Sequence, residues 1–414
     1  MSNEPRGQSE ASADSIGATL PPDLNPPYEN EREILEAARQ IGETILGPNA
    51  QATDCGPGPN LANFQALAEA GLLGMALPKS YGGLDASGAT QRAVTEILAS
   101  YCGVTTFTQA QHHGPSRMIA NGPNEELKQA LLPDLANGRK LCAISFAHLR
   151  RPGPPVLRAD PVAGGYRLNG TAPWVTGWGV MQQVVFGATL PDGRFVYLWT
   201  PGRRQDFQDL FAAVEAPDGN WGSFTASDPL PLCAMNASAT VEIKLHNWFI
   251  PQTHWLSESD RETMQRNDRN GVLGATSMPL GCTAASLRVL SEAARRRNIL
   301  PIQRAFESFT AEWKEAKAQV QEWNSRGGEQ EFFTNAIRVR AWCIEQAVRA
   351  AHAAVTASSG AANALTHPAQ RLLREAMFYT IQAQTEEVMD ATLSRLERNA
   401  SGISVESMVS VVAG

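Results

Sequence analysis

The feature that most constrains the fold is a change of hydrophobic periodicity in the middle of the chain. Between residues 141 and about 250, apolar and polar residues alternate in short runs bounded by Gly and Pro, which is typical of β-strands and hairpins. On both sides the apolar residues recur at helical spacing, as in the stripe of Ile34, Ala38, Ile41 and Ile45. The pattern predicts an α+β protein, mainly α, with strands at about 141–147, 165–169, 172–176, 182–189, 194–200 and 239–249.

These changes of pattern divide the chain into four predicted segments. Residues 1–26 are rich in Ser, Pro, Gly and acidic residues, and we expect a disordered tail because they hold few large apolar groups. An N-terminal α-helical domain is predicted for 27–140 and a middle β domain, a barrel or sandwich, for 141–257. A C-terminal four-helix bundle is predicted for 258–414, and its last helix is predicted to be continuous over about 368–397.

Composition argues against several classes of protein. The chain has 414 residues and a formal net charge of −7, whereas nucleic-acid binding needs a basic face. No apolar run approaches the roughly 20 residues that a membrane span requires. The six cysteines lie far apart without a Cys-x-x-Cys pair. We therefore expect no metal site, no nucleic-acid or membrane partner, and a cytoplasmic location.

Short motifs in a fixed order indicate a family. Residues 67–84 read LAEAGLLGMALPKSYGGL and residues 125–138 read EELKQALLPDLANG. Residues 236–240 read NASAT, and residues 367–376 read HPAQRLLREA. These segments, with the helical, β and helical order over about 30–397, resemble the acyl-CoA dehydrogenase superfamily. The resemblance implies that family's fold and an FAD-dependent oxidoreductase that acts on CH–CH groups of an acyl-CoA or a related small molecule.

The resemblance also implies where a flavin would bind in the β domain. Trp174, Val175 and Thr176 match a Trp-x-Thr strand that covers one face of the ring in the family, and Ser145 stands where the family has a flavin-binding Thr. Hydrogen bonds from such groups would tune how readily the ring accepts hydride. The alternative is that the Trp side chains are ordinary β-domain core. FAD is the expected cofactor, with FMN as the alternative.

The bundle matches the family's cofactor-binding residues only in part. Ser359 and Gly360 stand where the family has a Gly-Gly-x-Gly loop, so one glycine of its first pair is kept. Arg297 keeps the positive charge of an Arg that holds the pyrophosphate in the family, without the Phe-Gly that follows it there. A solvated helix end is the alternative for Arg297.

The loop after the first predicted strand departs from the family pattern. The family has Glu-Pro-x-Ala-Gly-Ser-Asp there, but this chain has Arg150 and Arg151 followed by prolines. Two arginines held by prolines could grip a phosphate or carboxylate. We therefore predict that Arg150 and Arg151 bind substrate; the alternative is a solvent-facing basic loop.

The usual catalytic base of the family is missing. The resemblance places Ala383 where most members have a catalytic Glu, and Gly271 where some members have it instead. Removal of an α-proton needs a positioned base, so Asp268 and Glu386, which lie near these positions in sequence, are the candidate carboxylates. Glu387 is a further neighbour.

Two adjacent histidines, His112 and His113, fall where the family lines its active site. Monooxygenases on this fold use His and other hydrogen-bond donors in place of the carboxylate, so a flavin-dependent monooxygenase or oxidase is the second hypothesis. A core histidine bonded to local backbone is the alternative for each residue. A catalytically silent homologue that binds a ligand is the third hypothesis. The resemblance further implies a homodimer or homotetramer and an electron acceptor that the sequence does not identify.

Overall fold

The N-terminal part of the chain is helical, as predicted. The structure is a computed structural model that describes residues 28–202, 216–217 and 219–397; the tail predicted for 1–26 and the chain beyond 397 lie outside these ranges. The helices are α1 (Glu31–Ile41), α2 (Gly47–Asp54), α3 (Leu61–Glu69), α4 (Gly88–Ala99), α5 (Gly103–Asn121) and α6 (Glu125–Ala136). Asn30 begins α1 because its side chain accepts hydrogen bonds from the N–H groups of Arg32 and Glu33.

The middle part is one mixed sheet. Its strands are β1 (Cys142–Ser145), β2 (Leu157–Val162), β3 (Gly165–Val175), β4 (Gln183–Thr189), β5 (Phe195–Pro201), β6 (Ser223–Ala226), β7 (Val241–Pro251) and β8 (Trp255–Ser259). Their order is β6-β7-β3-β2-β4-β5-β8, and β1 pairs in parallel with β4.

Two features of the sheet differ from the prediction. The strands predicted at 165–169 and 172–176 are one strand, β3, with a register shift against β7 beside Gly170. Gly170 has a φ of 125°, and an added Cβ would lie 2.1 Å from the Val156 carbonyl oxygen, so the chain bends there without turning back. The short strands β2, β6 and β8 were not predicted, and β8 continues past the predicted domain boundary at residue 257.

The C-terminal part is helical again. It contains α7 (Arg261–Asn270), α8 (Ser277–Arg297), α9 (Leu300–Ser325), α10 (Phe332–Ser358), α11 (Pro368–Tyr379) and α12 (Glu386–Glu397). The single helix predicted over 368–397 was wrong, because a turn at 380–385 separates α11 from α12. The Thr385 hydroxyl accepts a hydrogen bond from the Val388 N–H, which begins α12 anew.

The three parts share one hydrophobic core. A single buried cluster includes Leu98 of α4, Phe186 of β4 and Ala351 of α10. Helices α4 and α8 cross closely, since a Cβ at Gly281 would lie 2.4 Å from the Glu96 carbonyl oxygen. The predicted fold class, with N-terminal helices, a middle sheet domain and C-terminal helices, is therefore confirmed. Across the described ranges, the helices all fall short of the length and apolarity that crossing a bilayer demands.

Candidate active site

Two of the predicted flavin-binding residues meet at the end of the sheet. Trp174 is the penultimate residue of β3, has a φ of 61° and leaves 47% of its surface exposed. Ser145 ends β1, and its hydroxyl donates a hydrogen bond to the carbonyl of Pro173 at 3.0 Å. The indole is therefore presented at the surface beside a buried hydroxyl, and it is not part of the sheet's core.

The last residue of the strand and the one after it are buried. Val175 is fully buried in the main core, so neither its side chain nor its backbone is open to a ligand. The Thr176 hydroxyl lies 2.9 Å from that of Thr240, which lies 2.8 Å from that of Ser238. This buried chain of hydroxyls joins the Trp-x-Thr strand to the 236–240 loop, two motifs that are far apart in sequence.

The predicted cofactor contacts in the bundle lie on its surface. Arg297 is exposed at the end of α8, and Ser359 and Gly360 are exposed just after α10. A Cβ added to Gly360 would meet no heavy atom of the described residues within 4 Å. The glycine therefore makes room for nothing within this chain, and a close approach there would involve a ligand or another subunit.

The resemblance assigns the catalytic carboxylate either to residue 383 or to residue 271. In the structure, one guanidinium lies close to both positions. Arg340 of α10 donates to the carbonyls of Gln382 at 2.9 Å and Ala383 at 2.8 Å. It also donates to the carbonyl of Val272, at 3.5 Å, which follows Gly271 in sequence. Both positions therefore lie beside the same guanidinium, although neither residue there carries a carboxylate.

Arg340 makes this position positively charged. It is 4% exposed, and burial lowers its pKa to about 10, so it stays a cation at neutral pH. Asp268 raises that pKa and Arg150 lowers it. Among these three groups there are two cations and one anion, the reverse of the charge that proton abstraction needs.

Asp268 and Arg150 are bound to each other. Arg150 donates two hydrogen bonds to the Asp268 carboxylate, at 2.7 Å and 2.6 Å, and its guanidinium lies 4.8 Å from the centre of the Phe146 ring. The predicted substrate anchor and a predicted base therefore neutralise one another. Arg151 is exposed, and Glu386 is exposed in the first turn of α12; its neighbour Glu387 lies 3.8 Å from Arg269.

His112 is a core residue. Its Nε2 donates to the carbonyl of Leu135 at 3.0 Å, and its Nδ1 accepts from the N–H of Cys142 at 3.1 Å. Both ring nitrogens are thus used to join α5 to α6 and β1, and burial lowers the pKa of His112 to about 4. His113 is also buried, its Nε2 lies 2.6 Å from Oε1 of Gln109, and burial lowers its pKa well below the ordinary value.

The neighbours of the two histidines face a groove that the sequence did not reveal. It lies between α5 and β8, has a volume of about 860 Å³ and is called the α5–β8 groove below. Its wall is formed by Ala110, Gln111, Gly114, Arg117, Met118, Asn121, Gly122, Pro123, Ile144, Phe146, Trp255, Leu256, Ser257 and Glu258. Gln111 and Gly114 flank the histidine pair, so one helix presents its histidines to the core and their neighbours to the groove. Gly-Pro inside a predicted helix was the only signal of this in the sequence.

Comparison with known proteins agrees with the architecture. The family model described as acyl-CoA dehydrogenase, N-terminal domain, matches residues 28–139. The chain is 22% identical over 382 residues to the probable acyl-CoA dehydrogenase YngJ of Bacillus subtilis, covering 88% of this chain and 97% of that protein. The structure of butyryl-CoA dehydrogenase from Megasphaera elsdenii superposes with a TM-score of 0.73 at 19% identity, covering 89% of this chain and 98% of that one.

A further relative has a different reaction in its name. Over 165 residues the chain is 32% identical to the 3-sulfinopropanoyl-CoA desulfinase of Variovorax paradoxus, covering 39% of this chain and 41% of that protein. Together with the matched domain and the shared fold, these likenesses define the class: the chain belongs to the acyl-CoA dehydrogenase superfamily.

Proposed function

We propose that this protein is an FAD-dependent oxidoreductase of the acyl-CoA dehydrogenase type, acting on an acyl-CoA or a related small molecule. The observation that carries the proposal is the half-exposed indole of Trp174 at the sheet end, beside the Ser145 hydroxyl. An aromatic face left open at a strand end suits a flat ring, because stacking buries both apolar faces. The full-length likeness to acyl-CoA dehydrogenases supports the same conclusion.

The residues of this site fit a flavin, which when bound would supply a hydride acceptor. Trp174 would cover one face of the ring. The hydroxyl of Ser145 and the chain formed by Thr176, Thr240 and Ser238 are the hydrogen-bonding groups closest to that strand end. Arg297, Ser359 and Gly360 lie on exposed surface, where they could meet the remainder of the cofactor. FMN would not need this second group of contacts.

The proton is the difficult part of a dehydrogenation at this site. Asp268 is the carboxylate that acts electrostatically on Arg340, yet Arg150 holds it through two hydrogen bonds. For Asp268 to accept an α-proton, Arg150 would have to turn to another anion, such as a phosphate of the substrate. His112 cannot take this role while both of its ring nitrogens are bound to backbone.

The cofactor content of the purified protein tests the proposal. We expect absorbance at about 450 nm, as flavins show, and loss of that colour on anaerobic addition of an acyl-CoA. Trp174→Ala should weaken flavin retention. Leu61→Ala, at a side chain 42% exposed on α3, is the matched control and should not. A colourless protein that neither retains nor takes up flavin would favour a silent, ligand-binding homologue instead.

A second candidate is a flavin-dependent monooxygenase or oxidase. It is favoured by the positive charge of Arg340 beside residue 383, where most members of the family have the catalytic Glu. Arg340 offers a cation where a dehydrogenase offers a carboxylate, and oxygenation does not require removal of an α-proton. Reduced flavin and oxygen would then give a hydroxylated product, whereas an acyl-CoA would not bleach the enzyme.

We further propose that the protein is a homodimer or homotetramer in the cytoplasm. The last two helices and the turn between them expose several large apolar side chains, namely Met377, Ile381, Met389, Leu393 and Leu396. Contiguous exposed apolar side chains of this kind mark association surfaces. Sedimentation of the purified protein tests the oligomeric state: a dimer or tetramer supports the proposal, and a monomer contradicts it.

A further inference from the structure

The α5–β8 groove has an apolar lining. Met118 of α5, Ile144 of β1, Phe146 just after β1, and Trp255 and Leu256 of β8 contribute to its wall. Its volume of about 860 Å³ lies within the range of small-molecule sites, which are mostly apolar with a few placed polar groups. None of the residues predicted from the sequence to bind flavin or to catalyse is among the residues that line it.

The turn of α5 that faces the groove contains two residues that destabilise a helix, Gly114 and Pro115. Gly114 lies in the middle of a 19-residue helix, where glycine is disfavoured. An added Cβ there would meet no described atom within 4 Å, so packing within the chain does not explain the glycine. Pro115 follows and has no N–H to give to the carbonyl of Gln111. Gly114 leaves open space at the groove wall, and Pro115 removes one helical hydrogen bond beside it.

One charged side chain of the groove forms no ion pair with any residue that the structure describes. Of the described lining residues, Arg117 and Glu258 are the charged ones. Glu258 is paired with Arg194, which also binds Asp192. Arg117 is exposed, donates one hydrogen bond, at 3.2 Å, to the neutral side chain of Gln91, and has no carboxylate partner among the described residues. An exposed guanidinium without a carboxylate partner, at the wall of an apolar groove, suits the anionic end of a ligand.

We propose that the α5–β8 groove binds a carboxylate that carries an apolar chain, with the carboxylate on Arg117 and the chain against Met118, Phe146 and Trp255. Two sources share this chemistry: a free fatty acid, and the far carboxylate of a dicarboxylic acyl thioester. The second source rests on the proposed function, because it makes the groove the remote end of the substrate site.

Calorimetric titration of the whole protein with decanoate, and with decan-1-ol as its uncharged counterpart, tests the assignment. The wild type should bind decanoate more tightly than the alcohol. Arg117→Gln should weaken decanoate binding by about 10- to 100-fold, the range for a hydrogen bond to a charged group, and leave the alcohol unchanged. Arg117→Lys should retain part of the affinity. Arg304→Gln, on the exposed face of α9, is the matched control and should change nothing.

Gly114→Phe blocks the groove without a predicted clash. It replaces a glycine inside a helix, so the variant should fold at least as well as the wild type, and it should lose both ligands. Displacement of decanoate by a saturating acyl-CoA would identify the dicarboxylic thioester as the source, and simultaneous binding would identify a free fatty acid. Absence of decanoate binding, or binding that survives both Arg117→Gln and Gly114→Phe, overturns the assignment. Heat of binding does not depend on flavin, so this result and that of the redox assay can fail separately.

Discussion

The C-terminal helices bury two arginines in opposite ways. Arg371 of α11 is 6% exposed and binds the carboxylate of Glu375 at 2.6 Å. Burial alone would lower the pKa of Arg371, but Glu375 more than offsets this and the pKa is raised. Arg340 of α10 is 4% exposed and binds only backbone carbonyls, and burial lowers its pKa.

The difference separates a structural ion pair from a site. Glu375 packs against α5 so closely that a Cβ at Gly103 would lie 2.6 Å from its carboxyl group, which leaves no space for a ligand. Arg340 instead holds the exposed turn at Ala383 and the start of the segment after Gly271. A buried cation bound to carbonyls keeps its charge available to neighbouring groups, because among the described residues no carboxylate binds it directly.

The largest effect on stability is expected at the buried ion pair of Arg371 and Glu375. Glu375→Gln should lower the free energy of unfolding by about 3–5 kcal/mol, because it leaves the buried charge of Arg371 uncompensated. Denaturant unfolding measures this change. Glu329→Gln breaks a surface pair with Arg326 and is the matched control, with a loss within about 1 kcal/mol. A loss at Glu375 as small as that of the control would contradict the distinction between the two arginines.

A smaller loss of stability is expected at Arg340. Arg340→Met removes a charge that is costly to bury but leaves the carbonyls of Gln382 and Ala383 without a donor, so we expect about 2–3 kcal/mol. Arg338→Met, on the exposed side of the same helix, should be near neutral. If Arg340→Met destabilises the protein as much as Glu375→Gln, the cation is a structural group of the same kind as Arg371.

Acid should lower the stability of the protein through a third kind of buried group, the neutral imidazole of His112. Its pKa in the folded protein is about 4 against 6.5 for the unfolded chain, so the unfolded state takes up the proton first. Stability is therefore complete above pH 6.5 and falls as the pH drops toward 4, by about 2 kcal/mol at pH 5. His112→Asn should reduce the difference in unfolding free energy between pH 7 and pH 5 by that amount. An unchanged difference would show that His112 is not held neutral.

The smallest change in stability, together with a gain of activity, is expected at Ala383, where most members of the family have the catalytic Glu. Ala383→Glu places a carboxylate on an exposed residue whose carbonyl already binds Arg340, so stability should change by less than about 1 kcal/mol. If the proposed function is correct, acyl-CoA should bleach the flavin of this variant faster than that of the wild type. Ala383→Gln lacks the charge and is the control; equal rates in both variants would mean that a base at this position does not limit the reaction.

The local sequence pattern predicted much of the architecture but little of the candidate site. The switch of periodicity near residue 141 predicted the order of helices and sheet, because burying one face of each element dictates that spacing. The short strands β2 and β8 were not predicted, because five or six residues contain too few repeats to show a period. The break between α11 and α12 escaped because no Gly or Pro marks residues 380–385.

The candidate site shows the same division. The motif at 174–176 led to the sheet end, where the structure places Trp174 at the surface and Ser145 beside it. The His pair was read as a possible site feature, yet His112 joins α5 to its neighbours. One position along a helix rotates a side chain by about 100°, and spacing alone does not say which side of α5 meets the core.

The sequence by itself determined the class of this protein, the order of its elements and the absence of a carboxylate at residues 271 and 383, because these follow from residue identity and local periodicity. Only the tertiary structure showed that these two positions meet at Arg340, that Asp268 is bound by Arg150, and that a groove with Arg117 in its wall lies beside α5. Such relations depend on how distant segments pack against each other, which no local pattern encodes.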